Sequence, residues 1–408
     1  MLYSVNLECL VIADDLTGAC DAAVPFALGG RRVLVSLDSD GEPSPADVLA
    51  ISTESRDASA EVFSGALEEL LRRLPKLGPR ILFKKIDSTL RGNVGPEVAA
   101  ALTAFACDVA LVTPAFPAMG RTVEGGHLRI SGDAHFVPVE LAACFRNLGA
   151  GPHCHAQPGA IAPAVATGAR FVLLDACADA DLDAVVWEGL ALRQRVLWAG
   201  SAGLAAALAR ATGGKSPGGG PAPATATAVR SAPAASAPAH AAPVASTSAA
   251  PVPSGSAAIF CLGSSHPATL EQQDRLIHHR HAALFSCDAA TPAAIAAALE
   301  RGQPVVLRIR LGETPAGRVR ELLATAAGPL VLSGGTTAAL VLRALDIHAI
   351  ELHLEVAPGI PCGLAQGGPF HGAPVVTKSG GFGGPDALMK IADFFACPQP
   401  SRTFPPLR

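Results

Sequence analysis

Residues 213–256 read GGKSPGGGPAPATATAVRSAPAASAPAHAAPVASTSAAPVPSGS, almost wholly Ala, Pro, Ser, Gly and Thr. Lys215 and Arg230 are the only Lys or Arg in this stretch, which has no acid and no Phe, Trp or Tyr. Such a composition cannot bury enough apolar surface to offset the entropy of ordering it. It is predicted to be a disordered linker, extended where proline is dense. The 408-residue chain is thereby divided into two units, 1–212 and 257–408. Each is of ordinary domain size.

Both units have material for a core, since half of the residues are hydrophobic and only 16% are charged. The net charge of −4 gives no overall basic excess that would point to nucleic acid or to an anionic membrane. An anionic ligand would need a local cluster of Lys and Arg. Ten cysteines are scattered with no C-x-x-C pair, which suits reduced, buried thiols better than a disulfide framework. The opening MLYSVNLECLVIADD has no basic n-region, and no apolar run reaches the length of a membrane span. A cytoplasmic protein is expected.

Short β-branched runs alternate with Ala/Leu-rich helical stretches in both units. Strands are predicted over Leu7–Ala13, Arg32–Leu37, Val48–Ser52, Ile81–Ile86, Val109–Thr113, Phe171–Asp175 and Val196–Ala199, then over Ala257–Leu262, Val305–Arg310 and Leu330–Ser333. Helices are predicted over Ala60–Arg73, Pro96–Phe105, Pro267–His278, Gly317–Ala326 and Thr336–Leu345. This alternation predicts an α/β fold of two domains, each with a largely parallel sheet flanked by helices. Ligands of such sheets bind beyond the carboxyl ends of the strands, so the residues just after each strand carry the functional information.

The first strand ends in ADDLTGA. One of Asp14 and Asp15 could accept hydrogen bonds from substrate hydroxyls while the other caps the helix that Thr17 and Gly18 open. The strand ending at Ser52 leads to Arg56, a further cation. A denser cluster, KKIDSTLRGN, places Lys84, Lys85, Asp87, Ser88, Thr89 and Arg91 within eight residues. Strand alternation sends Lys85 and Asp87 to one side. The cations suit a carboxylate or phosphate, and Asp87 could accept a proton from an attacking hydroxyl. TPAFPAMGRT forms a proline-stiffened turn that brings Arg121 and Thr122 to the same mouth, with His127 nearby. Ser201-Ala202-Gly203 reads either as an anion-facing helix start or as simple tight packing.

In the second unit three loops follow apolar strands. Ser264 and Ser265 stand before a helix with Pro267 in its first turn. Gly334, Gly335, Thr336 and Thr337 let backbone N–H groups approach an anion closely. KSGGFGGP places Gly380 and Gly381 behind a lysine in a loop that could wrap a nucleotide. Gly214-Lys215-Ser216 imitates the end of a P-loop, but position 209 is Ala where that motif needs Gly. His153, His155 and His278–His281 lack the spacing of a structural metal site, so no metal-ligating residues are assigned.

Taken in order, ADDLTGA, KKIDSTLRGN, TPAFPAMGRT, SAGLAAAL, GSSHPATLEQ, SGGTTAALVL and KSGGFGGPDAL resemble the four-carbon acid sugar kinase family. The resemblance covers nearly all of both units and skips the linker. It implies an N-terminal domain that binds a sugar acid, a C-terminal domain that binds ATP and an active site in the cleft between them. It implies an ATP- and Mg²⁺-dependent phosphotransferase acting on the terminal hydroxyl of D-threonate or D-erythronate, or alternatively of 3-oxo-tetronate. By the same resemblance Asp14, Arg56, Lys85, Asp87, Ser88, Arg91 and Arg121 belong to the sugar-acid site. Ser264, Ser265, Gly334, Gly335, Thr336, Thr337, Gly380 and Gly381 then hold the nucleotide. The partners implied are these small molecules, with no nucleic acid or membrane and with a homodimer as an option. The chain departs from the family in a shortened segment after GRTVEGGHLRISGDAHF, in the long linker, and in SGGTT where many relatives carry an acid after the glycines.

Phosphoryl transfer asks of the protein mainly in-line positioning and charge neutralisation. On this reading Arg91, Arg121 and Lys85 fix the substrate carboxylate, Asp87 or Asp14 accepts the hydroxyl proton, and Mg²⁺ rides on the ATP phosphates. A dinucleotide-dependent dehydrogenase would show G-x-G-x-x-G after the first strand, where DDLTGA stands instead. A non-catalytic sugar-acid sensor would have little use for three nucleotide-type loops.

Overall fold

The computed structural model describes residues 7–37, 45–58, 78–132, 135–146, 148, 151–213 and 257–396, with the isolated helical positions 65, 68 and 72. The linker expected over 213–256 lies outside the described residues except for Gly213, and the helix expected over Ala60–Arg73 lies outside them except for those three positions.

The N-terminal half supplies β1 (Cys9–Ala13), β2 (Val33–Ser36), β3 (Val48–Ser52), β4 (Ile81–Lys85), β5 (Val109–Thr113), β6 (Arg121–Glu124), β7 (His127–Ile130), β8 (Val139–Glu140), β9 (His153–Ala156), β10 (Phe171–Leu174) and β11 (Val196–Gly200). The C-terminal half supplies β12 (Ile259–Leu262), β13 (Ala283–Ser286), β14 (Val305–Arg308), β15 (Leu330–Ser333), β16 (Ala349–Ala357), β17 (Ile360–Gln366) and β18 (Pro374–Lys378). Strands such as CLVIA and VALVT are almost wholly apolar and buried along their whole length, as a sheet covered on both faces requires. The helices Val94–Ala104, Pro267–Arg280, Ala316–Leu323 and Gly335–Ala344 match the expected stretches with shifted ends.

Each half is largely parallel, in the order β2-β3-β1-β4-β11-β5-β10-β9 and β13-β14-β12-β15-β18-β17-β16. The two halves share an edge that the sequence does not announce. β16 pairs antiparallel with β2, Ala349 facing Ser36 and Leu352 facing Val33, so fifteen strands run as one sheet. The hairpin β16–β17 that makes this join carries Pro361 and Gly363, which disguise β17 as a loop. A small antiparallel sheet, β6-β7-β8, stands apart.

The first helix, α1 (Leu16–Leu28), is buried along most of its length. It packs on the helices Ala202–Thr212 and Gly335–Ala344 and on β16, touching both halves. One hydrophobic cluster accordingly runs from Cys9, Phe26 and Phe83 through to Leu307, Leu332 and Val375. Among the described residues no helix is long and apolar enough to cross a membrane.

Candidate active site

β3, β1 and β4 lie side by side in parallel register, with Ala13 beside Ser52 and Ile12 beside Lys84. Their carboxyl ends therefore deliver Arg56, Asp14, Asp15 and Asp87 to one place. Asp15 is the N-cap of α1 in extended backbone, accepting from the Gly18 N–H at 2.7 Å and from the Thr17 hydroxyl at 3.0 Å. Arg56 grips Asp14 with two bonds, Nε to Oδ2 at 2.7 Å and Nη2 to Oδ1 at 2.8 Å. Its Nη1 donates to Asp15 Oδ2 at 2.6 Å, and Asp87 Oδ2 lies 3.6 Å from Nη2. One guanidinium thus faces three carboxylates.

Asp87 is further held by Arg91, whose Nη2 reaches Oδ2 at 2.7 Å and whose Nε reaches Oδ1 at 3.3 Å. The Thr89 N–H donates to Oδ1 at 2.8 Å, and the Thr89 hydroxyl donates there too. Burial opposes the charge on Asp87, but the Arg91 hydrogen bond and the nearby Arg56 outweigh it and hold the carboxyl well below the usual range. In Asp14 burial is likewise outweighed by Arg56, with Lys84 and Lys85 assisting, and its carboxyl is also lowered. Arg91 is therefore paired with Asp87. Each oxygen of Asp87 and of Asp14, the candidate bases, accepts at least one hydrogen bond, and both carboxyls are held low.

Among the described residues neither Lys85 nor Arg121 forms an ion pair. Lys85 is 4% exposed and its Nζ donates to the Ile86 carbonyl at 3.0 Å. Arg121 lies over the Phe382 ring at 5.2 Å, donates from Nη1 to the Met119 carbonyl at 2.8 Å, and has a buried Nε with no partner. Lys84 points to the other side of its strand, where it meets Glu97, itself bonded by the Ser55 hydroxyl. His127 folds back on its own turn, Nδ1 at 2.9 Å from the Gly125 carbonyl. Ser201 is a packing device, since its hydroxyl donates to the Ala115 carbonyl at 2.6 Å and accepts from the Gly203 N–H at 3.1 Å.

In the other half β12, β15 and β18 are neighbours, Ser333 lying between Leu262 and Lys378. Gly334 sits at φ +99°, a conformation that L side chains rarely adopt, and opens the helix Gly335–Ala344. His266, not a serine, caps the helix Pro267–Arg280, with Nδ1 accepting from the Ala268 N–H at 3.2 Å. The glycine loop is tied down by its carbonyls. Lys378 Nζ donates to those of Ser379 at 2.9 Å, Gly380 at 3.1 Å and Phe382 at 3.2 Å. Gln272 Nε2 donates to Phe382, Gly383 and Gly384, and the Thr269 hydroxyl donates to Gly380 at 2.7 Å. Lys378 is fully buried, and burial pushes its ammonium down to about 8.

These loops and the carboxylate cluster face one another across two adjoining spaces. The larger, about 690 Å³, is lined by Asp14, Asp15, Glu54, Arg56 and Arg91 from one half and by Ser264, Ser265, Gly334–Thr337 and Ser379–Gly381 from the other. Its size suits a nucleotide-scale ligand. The smaller, about 20 Å³, is bounded by Thr17, Gly18, Asp21, Lys85, Asp87 and Ser88 on one side and by Gly359, Ser379 and Phe382 on the other. All the sugar-site and nucleotide-site residues expected from the sequence line one of these spaces, except Arg121, which flanks the smaller through Phe382. The sequence reading missed Asp21 and the loop-holding role of Lys378. Asp21 stands four residues after Thr17, hence on the same face of α1. An acid in the otherwise apolar stretch GACDAAV was the available signal.

Residues 9–143 match the model of a sugar-binding N-terminal domain, and residues 268–388 that of a nucleotide-binding C-terminal domain. The chain is 33% identical to a D-threonate kinase of Bordetella bronchiseptica, over 94% of this chain and 96% of that protein. It is 32% identical to a D-threonate kinase of Cupriavidus necator, over 93% and 96%. The fold is shared with a crystal structure from Salmonella typhimurium LT2 at a TM-score of 0.68 and 21% identity, covering 95% of this chain and 99% of that one.

Proposed function

The chain belongs to the four-carbon acid sugar kinases, which use ATP to phosphorylate a hydroxyl of a sugar acid, and from that premise we propose that its substrate is D-threonate and that phosphate is placed on the terminal hydroxyl. The observation that carries this reading is the meeting of the two halves around joined spaces. Arg56 and its carboxylates stand on one wall, and the glycine loops of Gly334-Gly335 and Gly380-Gly381 on the other.

In this scheme residues 1–212 bind the sugar acid and 257–408 bind ATP. Lys85 and Arg121 meet the substrate carboxylate, since their charges are not spent on protein acids. Asp14, Asp87 and Ser88, with Arg56 and Arg91 fixing the two carboxylates, accept or donate hydrogen bonds to the hydroxyls. Backbone N–H groups near Gly334, Gly335, Gly380 and Gly381, with Ser264, Ser265, Thr336 and Thr337, surround the phosphates. Among the described residues no three His, Cys, Asp or Glu side chains cluster to hold a metal. Mg²⁺ would be carried in by ATP and held by its phosphates and water, where it would neutralise phosphate charge. The nine described cysteines are free, and burial raises their thiol pKa values.

The test is ATP-dependent turnover of D-threonate, D-erythronate and 3-oxo-tetronate side by side. D-threonate is expected to give the highest kcat/KM. Preference for either of the others changes the substrate, and no turnover with any of them overturns the reading.

A further inference from the structure

We propose that Asp21 is the group that takes the proton from the attacking hydroxyl, a role that rests on the kinase reading above. A proton acceptor must face the reacting centre, carry an uncommitted oxygen and be basic enough to matter. Asp14 and Asp87 face the site, but arginines already bond both of their carboxylates and hold them low, so they are poor proton acceptors. Asp15 is spent on capping α1 and on Arg56. Asp21 meets all three.

Its side chain lines the smaller space with Lys85, Asp87 and Ser88, and the residue is only 7% exposed. Its Oδ1 is buried and accepts no hydrogen bond. The tip of the β16–β17 hairpin closes on it from the other half, and a β-carbon at Gly359 would stand 3.7 Å from that oxygen. Gly359 has φ +71°, and the same β-carbon would lie 2.7 Å from the Phe382 ring, so glycine is the residue that lets the tip approach. An unpartnered carboxylate oxygen thus stands where the sugar-acid wall of the smaller space meets Gly359 and Phe382 of the other half.

The charged groups around it are Lys85 from β4, Glu355 from β16, Asp15 from the start of α1 and Arg121 from β6, with Arg56 and Asp87 on the same wall. Burial is the largest influence and pushes the Asp21 carboxyl up to about 7; Glu355 and Asp15 raise it and Lys85 and Arg121 oppose. In the transfer the hydroxyl O–H bond breaks and its proton passes to Asp21 Oδ1. The freed electron pair forms the O–P bond to the γ-phosphorus. The bond from that phosphorus to the β–γ bridging oxygen breaks, and its pair leaves with ADP.

The experiment compares wild type and Asp21→Asn in kcat–pH profiles with D-threonate and ATP. Wild-type kcat should rise with pH through a limb near 7. The Asn variant should lose about 10²–10⁴-fold in kcat and lose the limb, with both KM values near wild type. An Asn variant within about threefold of wild-type kcat, or one that keeps the limb, overturns the proposal while leaving the kinase reading intact. If the variant does not fold, the wild-type profile decides, and a kcat flat between about pH 6 and 8 overturns it. A wild type that phosphorylates no four-carbon acid removes the kinase reading and this proposal together.

Discussion

A β-carbon placed on Gly335 would stand 2.6 Å from Oδ2 of Asp15, so the first turn of a nucleotide-side helix rests on the N-cap of a sugar-side helix. Asp15 cannot swing aside cheaply, because Arg56, Thr17 and the Gly18 N–H hold both of its oxygens. The two binding walls are thus in mechanical contact through one carboxylate.

Gly335→Ala should therefore disturb both substrates. The methyl group displaces Asp15, Arg56 follows, and the phosphate approach narrows. ATP KM should rise by roughly tenfold or more, equivalent to about 1.4 kcal/mol, with a smaller rise for the sugar acid. Steady-state kinetics with each substrate varied in turn will show it. An unchanged ATP KM would remove Gly335 from the nucleotide wall.

Arg56→Ala would leave Asp14, Asp15 and Asp87 facing one another without their shared cation. Breaking a buried pair by removing one partner costs about 3–5 kcal/mol, so urea unfolding should show a loss of that order near neutral pH. Sugar-acid binding should vanish in calorimetry. Arg56→Lys should not rescue it, because an ammonium cannot reproduce the two-bond grip on Asp14 together with the bond to Asp15. Full activity in Arg56→Lys would show that only charge is needed.

Much of this site was legible because a parallel sheet gathers the residues after its strands at one edge. ADD, KKIDSTLR and SGGTT announced themselves in that way. The pairings were not legible. Arg56 meets Asp14 because β3 lies beside β1, and strand order is a tertiary fact that linear spacing does not encode. Arg91 reads as a substrate cation, and its pairing with Asp87 shows only in the fold. Lys378 looks like part of an anion loop, whereas its ammonium is turned onto carbonyls. Asp21 hid inside a helix that a strand-end search passes over.

Lys378→Met tests that inward-turned ammonium. Methionine fills similar space but donates nothing, so the carbonyls of Ser379, Gly380 and Phe382 lose a shared partner. The loop should loosen, and ATP KM should rise by about tenfold while sugar-acid affinity in the apo protein stays near normal. Isothermal titration with each ligand separates the two effects. Lost sugar-acid binding with normal ATP binding would contradict the assignment of the two halves.

Asp21→Asn should also stabilise the fold, in a pH-dependent way. The carboxyl is raised by burial from 3.8 to about 7. Well below the unfolded value of 3.8 it is neutral in both folded and unfolded chains and adds no penalty. As pH rises the unfolded carboxyl ionises first, and the folded protein loses relative stability until its own carboxyl ionises near 7. Above that the folded protein carries a desolvated charge that asparagine does not. The variant should exceed wild type in unfolding free energy by up to about 4 kcal/mol near pH 8, falling below about 1 kcal/mol near pH 4. Urea denaturation at the two pH values measures the gap. A gap that is absent, or that widens toward acid, would mean that Asp21 finds a partner for its charge in solution. A gap that opens toward alkaline pH would show that the fold keeps the Asp21 carboxylate at a cost in stability.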